Sequence, residues 1–213
     1  MTKKRVIFGL TALLMLVTAC FAFVGCNDNS GDRTLPDVGE MIADGQTTYK
    51  VIVPSNATAT QEYAAQQICN YFAQVTGVAM SYVADSGESY DSNSTTISLG
   101  KTSAYNTAVK NHKNVDVSRK TLNDDGFVMF TDGKSLFIDS YNDRGIMYGA
   151  FEFIEQNFGV KFLTYDYTYV PTATQVVLKG YDKTYVSPFR QRVYLNTPIW
   201  YQDTDYVAHL RYN

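Results

Sequence analysis

The sequence is poor in histidine, tryptophan and cysteine. It has two His, one Trp and three Cys among 213 residues. So few His residues exclude a His-rich metal site. The chain also has no phosphate-binding glycine loop, Cys-x-x-Cys pair or Gly-x-Ser-x-Gly motif. The sequence therefore predicts no metal, no cofactor and no catalytic residue. Hydrophobic residues at 45% and charged residues at 18% exclude wholesale disorder and a coiled coil.

Acidic residues are absent from the first 25 positions, which carry Lys3, Lys4 and Arg5. The rest of the chain has 15 basic and 21 acidic residues. A surface of that sign repels phosphate backbones. Nucleic acid is therefore excluded as an expected partner.

Residues 1–25 have the pattern of an export signal. The basic cluster is followed by an apolar run from Val6 to Val24, and polarity begins abruptly at Asn27. A transmembrane helix is the alternative, because the run approaches the length needed to span a bilayer. The terminal position and the nearby cysteines favour the signal.

The sequence Phe23-Val24-Gly25-Cys26 resembles a bacterial lipobox, in which a lipidated cysteine becomes the new N-terminus. Cys20, after Val17-Thr18-Ala19, is the alternative. The polar stretch behind Cys26 makes a better linker than the apolar residues behind Cys20. We therefore expect a lipid anchor at Cys26, a flexible tether over residues 26–46, and a membrane-anchored lipoprotein on the bacterial surface. Plain secretion is the alternative.

Hydrophobic periodicity predicts an α/β domain over residues 47–182. The run TTYKVIVP at 47–54 is typical of a strand, and Asp132-Gly133 separates two alternating runs as in a hairpin. Helical spacing precedes Gly77 and recurs from Asn142 to Gly159. The order of elements predicts a mixed β-sheet with helices on one face. Gly145 and Gly149, four residues apart, would let the second helix lie close to this sheet.

The character of the chain changes after residue 183. Residues 187–195 predict a strand and residues 203–212 a helix, with no later element to cover them. A single βα unit cannot bury its apolar face. The sequence is therefore predicted to be cut just inside a second domain, which begins at residue 183.

The acidic and histidine residues have ordinary structural interpretations. Glu152 and Glu155 are neighbours on one helix face, where we expect them to be solvated. Asp124 and Asp125 precede Gly126 in a turn. Of the two histidines, His112 is expected at the surface, and His209 is expected to pack.

Two aromatic clusters could stack on sugars. Tyr165, Tyr167 and Tyr169 alternate and would share one face of an extended segment, and Trp200-Tyr201 forms the second cluster. Packing is the more ordinary use of tyrosine-rich strands.

Several motifs occur in a fixed order, and the most specific is the helix sequence NDRGIMYGAFEFIE at residues 142–155. The others are YKVIVP at 49–54, VTGV at 75–78, ISLGKT at 97–102, DGF at 125–127, FGVKFL at 158–163 and SPF at 187–189. Together they resemble the α/β domain that precedes the barrel in bacterial glycoside hydrolases. Examples are the N-terminal domain of family 67 alpha-glucuronidases and the second domain of family 20 beta-hexosaminidases. Uncharacterised surface proteins with a TIM-like barrel are similar too.

The resemblance implies that residues 47–182 are a non-catalytic accessory domain and that residues 183–213 are the start of a truncated (β/α)8-type domain. The catalytic carboxylates would then lie outside this sequence. The resemblance also implies a sugar-contacting role for Arg192, three positions after Phe189, and Trp200 is a second candidate. The family usually has Gly where this chain has Val193. Pairing of Arg190 or Arg192 with an acid at the domain seam is the alternative.

The leading hypothesis is therefore an accessory fragment of a surface glycoside hydrolase, whose full protein acts on glycans by two-carboxylate chemistry. The rival is a complete surface lipoprotein that binds a glycan or a partner without enzymatic activity.

Overall fold

The computed structural model describes residues 35–189, 192 and 204–211. The strands in these ranges are β1 (Leu35–Glu40), β2 (Lys50–Val53), β3 (Ser81–Ala84), β4 (Thr96–Leu99), β5 (Phe127–Asp132), β6 (Ser135–Asp139), β7 (Lys161–Thr164), β8 (Tyr167–Tyr169), β9 (Val177–Gly180) and β10 (Asp182–Tyr185). Six of them form the main sheet, and the other four form two two-stranded sheets. The six-stranded sheet has the order β10-β5-β6-β4-β2-β3. Neighbouring strands among β3, β2, β4 and β6 pair in parallel, whereas β5 pairs antiparallel with both of its neighbours, β6 and β10. The predicted mixed α/β fold is confirmed.

The helices differ greatly in length. They are α1 (Ala59–Thr76), α2 (Ser103–Ala108), α3 (Arg119–Leu122), α4 (Asp143–Phe158) and α5 (Thr204–His209), with a short 3-10 turn at Val109–Asn111. No helix in the described ranges is both long and apolar enough to cross a membrane.

The segment expected to be a tether is structured at its end. Strand β1 pairs antiparallel with β9, with Leu35 opposite Gly180 and Glu40 opposite Val177. Met41, directly after β1, is buried at 1% exposure. Residues 35–46 therefore belong to the folded domain. The strand was missed because Pro36 and Gly39 are rare inside strands.

The two long helices end where the sequence predicts, and α4 also begins at its predicted cap. Helix α1 starts with a capping box, in which Thr58 Oγ accepts from the Gln61 amide and Gln61 Oε1 accepts from the Thr58 amide. Asn142 caps α4 by accepting from the Gly145 amide. Gly77 and Gly159 end the helices in the left-handed conformation, with φ of 72° and 74°.

The long helices α1 and α4 pack on one face of the main sheet. Helix α4 lies closest to the sheet at its glycines. At Gly149, a Cβ would lie 2.5 Å from Ile138 Cγ2 and 3.2 Å from the Phe127 ring. At Gly145, a Cβ would collide with Ser140 Oγ and the Gly126 carbonyl oxygen. The predicted close approach of this helix is confirmed.

The other face of the sheet carries a smaller apolar cluster under α2. Phe137 lies between Leu136 and Ile138 on β6 and therefore points away from α1 and α4. It stacks on Phe130 at 5.1 Å between ring centroids, and Ala104 and Tyr105 of α2 cover the pair. The short helix thus gives the second face partial cover.

Candidate functional site

Asp125 lies at the centre of a buried ion cluster. It stands between α3 and β5, and only 3% of its side chain is exposed. Its Oδ1 is 2.6 Å from Arg144 Nη2, and its Oδ2 is 3.0 Å from Arg192 Nη2. Each carboxylate oxygen therefore meets a different guanidinium, and the negative charge is compensated on both sides.

Local backbone geometry places this carboxylate. At the next residue, Gly126, a Cβ would lie 2.6 Å from the Tyr185 carbonyl oxygen and would collide with the Leu122 carbonyl oxygen. Only glycine fits between these two chain segments. Asn142 Nδ2 donates to the Asp124 carbonyl oxygen at 2.8 Å and joins the turn to the start of α4. Arg144 is the second residue of that helix.

Arg192 is held by several groups besides Asp125. Its Nη1 donates to Ser187 Oγ at 2.8 Å and to the Tyr185 hydroxyl at 3.4 Å. Its guanidinium carbon lies 5.5 Å from the centre of the Tyr148 ring, a cation–π distance. Only 15% of the side chain is exposed. Burial raises the pKa of the Tyr148 hydroxyl, as does the charge of Asp125, while the two arginines oppose the shift.

The cluster fastens a residue beyond position 183 to the preceding α/β domain. The predicted alternative, an ion pair between Arg192 and an acid, is present in the structure. Sugar contact by Arg192 stays a prediction. Trp200, Cys26 and Cys20 lie outside the described residues.

Sequence reasoning missed the role of Asp125. The turn before Gly126 was a sufficient reason for an aspartate at this position, so no ion-pair partner was predicted for Asp125. The sequence offers only a general signal, an acidic turn before the apolar strand β5 together with an arginine in the first turn of α4, and this signal does not separate Asp125 from Asp124.

The two glutamates on α4 are not on a solvated face, and that prediction was wrong. Glu152 is 14% exposed and lies 2.8 Å from Lys183 Nζ and 2.7 Å from Arg211 Nη2. Arg211 also pairs with Glu155. The reason is that β10 and the chain after α5 bring cations onto this helix face. Burial raises the pKa of Glu155, Arg211 opposes the shift, and Glu152 adds to it.

The two histidines pack against or lie near other side chains of the fold. His209 stacks on Phe162 at 4.2 Å between ring centroids and meets Phe151 edge-on at 4.7 Å, which confirms its predicted packing role. His112 is 29% exposed, and its Nε2 lies 3.7 Å from Asp132. In residues 35–189, 192 and 204–211, no three His, Cys, Asp or Glu residues gather as metal ligands.

The tyrosines of the β7–β8 hairpin are on the surface. Tyr165, Tyr167 and Tyr169 are 58%, 56% and 46% exposed. Between the last two, Thr168 lies opposite Phe162, which is buried. Tyr167 and Tyr169 therefore share the outer face of β8, as the alternation predicts. Tyr165, predicted to share that face, lies in the turn between β7 and β8 instead.

A second buried aspartate, Asp139, ends strand β6. It is 1% exposed, and its Oδ1 accepts from the Ser140 amide at 2.8 Å. Burial raises the pKa of this carboxyl, while the Ser140 amide, the Tyr105 hydroxyl and the charge of Lys101 partly oppose the shift. Its environment therefore favours the protonated acid more than water does.

Comparison with known proteins gives one family. Residues 39–153, more than half of the chain, match the family described as glycosyl hydrolase family 67 N-terminus. The matched range includes Asp125, Asp139 and Arg144. No match is found among curated proteins.

Similar solved structures are much longer than this chain. A GH138 enzyme targeting pectin rhamnogalacturonan II is similar at 21% identity and a TM-score of 0.36, over 51% of this chain and 13% of that one. Two mutants of the Streptomyces plicatus beta-hexosaminidase in complex with the product GlcNAc are similar at 6% and 9% identity, with TM-scores of 0.46 and 0.43. Those matches cover 76% of this chain and 26% of the enzyme.

The motifs on β2, β4 and α4, the DGF turn at Asp125 and the family match all fall in the same folded domain. The chain belongs to the glycosyl hydrolase family 67 N-terminus family.

Proposed function

We propose that this chain is the non-catalytic accessory part of a glycoside hydrolase-like protein on the cell surface, and that its α/β domain fixes the start of a catalytic barrel. The observation that carries the proposal is the Asp125–Arg192 ion pair at 3.0 Å. A buried pair with compensating hydrogen bonds holds two chain segments in one arrangement. Family membership supplies the carbohydrate context.

The proposal is tested by comparing two proteins in the same glycosidase assay. One is the 213-residue chain, and the other is the native protein recovered from cells with an antibody against residues 47–180. We expect the native protein to be larger than 23.9 kDa and to cleave aryl glycosides, and the 213-residue chain to cleave none. Cleavage by the 213-residue chain, or a native protein of the same size that lacks activity, would contradict the proposal.

The membrane anchor is a separate part of the proposal. We expect a fatty-acid probe to label the protein in cells through Cys26, leaving it in the membrane fraction. Cys26→Ala should abolish labelling, and Cys20→Ala should leave it unchanged. The opposite pattern would move the anchor to Cys20, and no labelling in the parent protein would favour secretion.

A glycan-binding lipoprotein is the second candidate function. The outward-facing rings of Tyr167 and Tyr169 favour it, because exposed aromatic rings offer apolar faces to sugars. A glycan array probed with the full chain tests this candidate. Tyr167→Ala should abolish binding, whereas Tyr82→Ala, which removes a 40% exposed ring on β3, should not. Equal binding by all three proteins would exclude the hairpin as the glycan surface.

A further inference from the structure

A polar cleft of about 290 Å³ opens at the carboxyl ends of β2, β4 and β6. This strand-end cleft is lined by residues that follow those strands and by the first residues of α1 and α4. The polar and aromatic members that matter here are Asn56, Thr58, Lys101, Tyr141, Asn142 and Asp143.

The topology puts the cleft where open α/β sheets bind ligands. Helices α1 and α4 follow β2 and β6 and pack on one face of the sheet, whereas α2 follows β4 and packs on the other. The chain therefore leaves the neighbouring strands β2 and β4 toward opposite faces. Crevices at such reversals, outside the carboxyl ends of the strands, are the usual ligand sites of these folds.

The charges in the cleft disfavour an anion. Both helix N-termini already have side-chain caps, from Thr58 and Asn142. Asp143 adds a carboxylate at the start of α4, where its Oδ1 accepts from Gln61 Nε2 at 3.0 Å. Side chains of the protein itself therefore occupy the positive helix ends that would otherwise attract a phosphate group. Lys101 is the cation of the cleft and is exposed.

The remaining groups suit a ligand with several hydroxyls. The Tyr141 ring is 51% exposed, and the Arg119 guanidinium lies 6.0 Å from its centre. The Lys101 ammonium, the Asp143 carboxylate and the Asn56 side-chain amide line the same cleft and can donate to or accept from hydroxyl groups. An aromatic face beside such polar groups accommodates both the apolar and the polar sides of a sugar ring.

We propose that the strand-end cleft binds a neutral monosaccharide, with the sugar ring on Tyr141 and its hydroxyls directed to Lys101 and Asp143. The volume of about 290 Å³ is just below the range of small-molecule pockets, about 300–1,000 Å³. It therefore favours one sugar unit over an extended glycan. The inference goes beyond the proposed function, because support of a barrel needs no ligand in this domain.

Isothermal titration calorimetry with the 213-residue chain tests the inference. The probes are glucose, galactose, xylose and, as the competing anion, inorganic phosphate. Lys101→Ala and Tyr141→Ala change exposed side chains of the cleft. Lys134→Ala and Tyr82→Ala are the matched controls, since both residues are exposed and lie elsewhere.

We expect at least one neutral sugar to bind, and each cleft variant to weaken that binding about tenfold or more. The two controls should bind like the parent chain, and all variants should keep its unfolding temperature. The inference is overturned if no sugar binds, if only phosphate binds, or if the folded cleft variants bind as well as the parent. Tyr167→Ala is measured as the variant of the rival hairpin surface, and loss of binding in it but not in the cleft variants would also overturn the inference.

Discussion

Asp125 and Asp139 are buried to nearly the same degree but have opposite electrostatic surroundings. They are 2% and 1% exposed and stand at the same end of two paired strands, before β5 and at the end of β6. Asp125 has a guanidinium on each oxygen. Asp139 has a backbone amide and the neighbouring Tyr105 hydroxyl, and Lys101 acts on it only through space.

The difference shows that burial alone does not define the role of a carboxylate. With two arginines, the buried charge of Asp125 joins three chain segments. Without an adjacent cation, the carboxyl of Asp139 is shifted by burial toward its neutral form. The first aspartate should therefore stabilise the fold through its charge, and the second should destabilise it when ionised.

The largest effect is expected for Asp125→Asn. It removes the charge between Arg144 and Arg192 and leaves a largely buried guanidinium without its carboxylate. We expect the free energy of unfolding to fall by about 3–5 kcal/mol, as when one partner of a buried pair is removed. Chemical denaturation measures this change.

Asp124→Asn is the matched control for that substitution. Asp124 pairs with Arg119, whose side chain is 58% exposed, and such surface pairs contribute about 0–1 kcal/mol. Equal losses in the two variants would show that the buried cluster has no special role.

An intermediate effect is expected for Gly145→Ala, which affects both regions at once. The added Cβ would collide with Ser140 Oγ, beside Asp139, and with the carbonyl oxygen of Gly126, beside Asp125. Displacement of the start of α4 should lower the free energy of unfolding by about 1–3 kcal/mol, the usual cost of overpacking. Thermal and denaturant unfolding should agree on this loss, and an unchanged midpoint would contradict the close approach.

The smallest effect, of opposite sign, is expected for Asp139→Asn. Its raised pKa means that the folded protein binds this proton more tightly than the unfolded chain does. The stability gained from protonation is fully present below the unfolded pKa of about 3.8 and is lost as the pH rises through the folded pKa. We therefore expect Asp139→Asn to stabilise the protein at pH 7, by on the order of 1 kcal/mol.

The pH dependence separates this explanation from a packing effect. The gain should shrink as the pH falls toward 3.8, because the parent carboxyl becomes protonated there. Asp37→Asn, at an exposed position on β1, is the control for the loss of a carboxylate that is not buried. A loss of stability at pH 7 would contradict the account of Asp139.

Local signals in the sequence predict much of the fold. The caps at Asn142 and Gly159 define α4, and alternation around Asp132-Gly133 defines the β5–β6 hairpin, because both depend on residues close in the chain. Strand β1 escapes prediction because its partner, β9, is more than 130 positions away and its own composition disfavours a strand.

The candidate sites depend on long-range packing and are less predictable. Arg192 lies 67 positions from Asp125, and nothing in the local sequence distinguishes Asp125 from Asp124. The environment of Glu152 depends on Lys183 and Arg211, which come from separate elements. The strand-end cleft likewise requires the order of β2, β4 and β6 in the sheet, which periodicity does not determine.

A double-mutant cycle between Asp125→Asn and Arg192→Gln tests the central claim most directly, because it isolates the interaction between the α/β domain and the chain beyond residue 183. The free energy of unfolding is measured for the parent, both single variants and the double variant. The account predicts a coupling free energy of about 2 kcal/mol, within the range for buried contacting partners. Additive effects within about 0.3 kcal/mol would contradict it, because Arg192 would then not be fastened by Asp125.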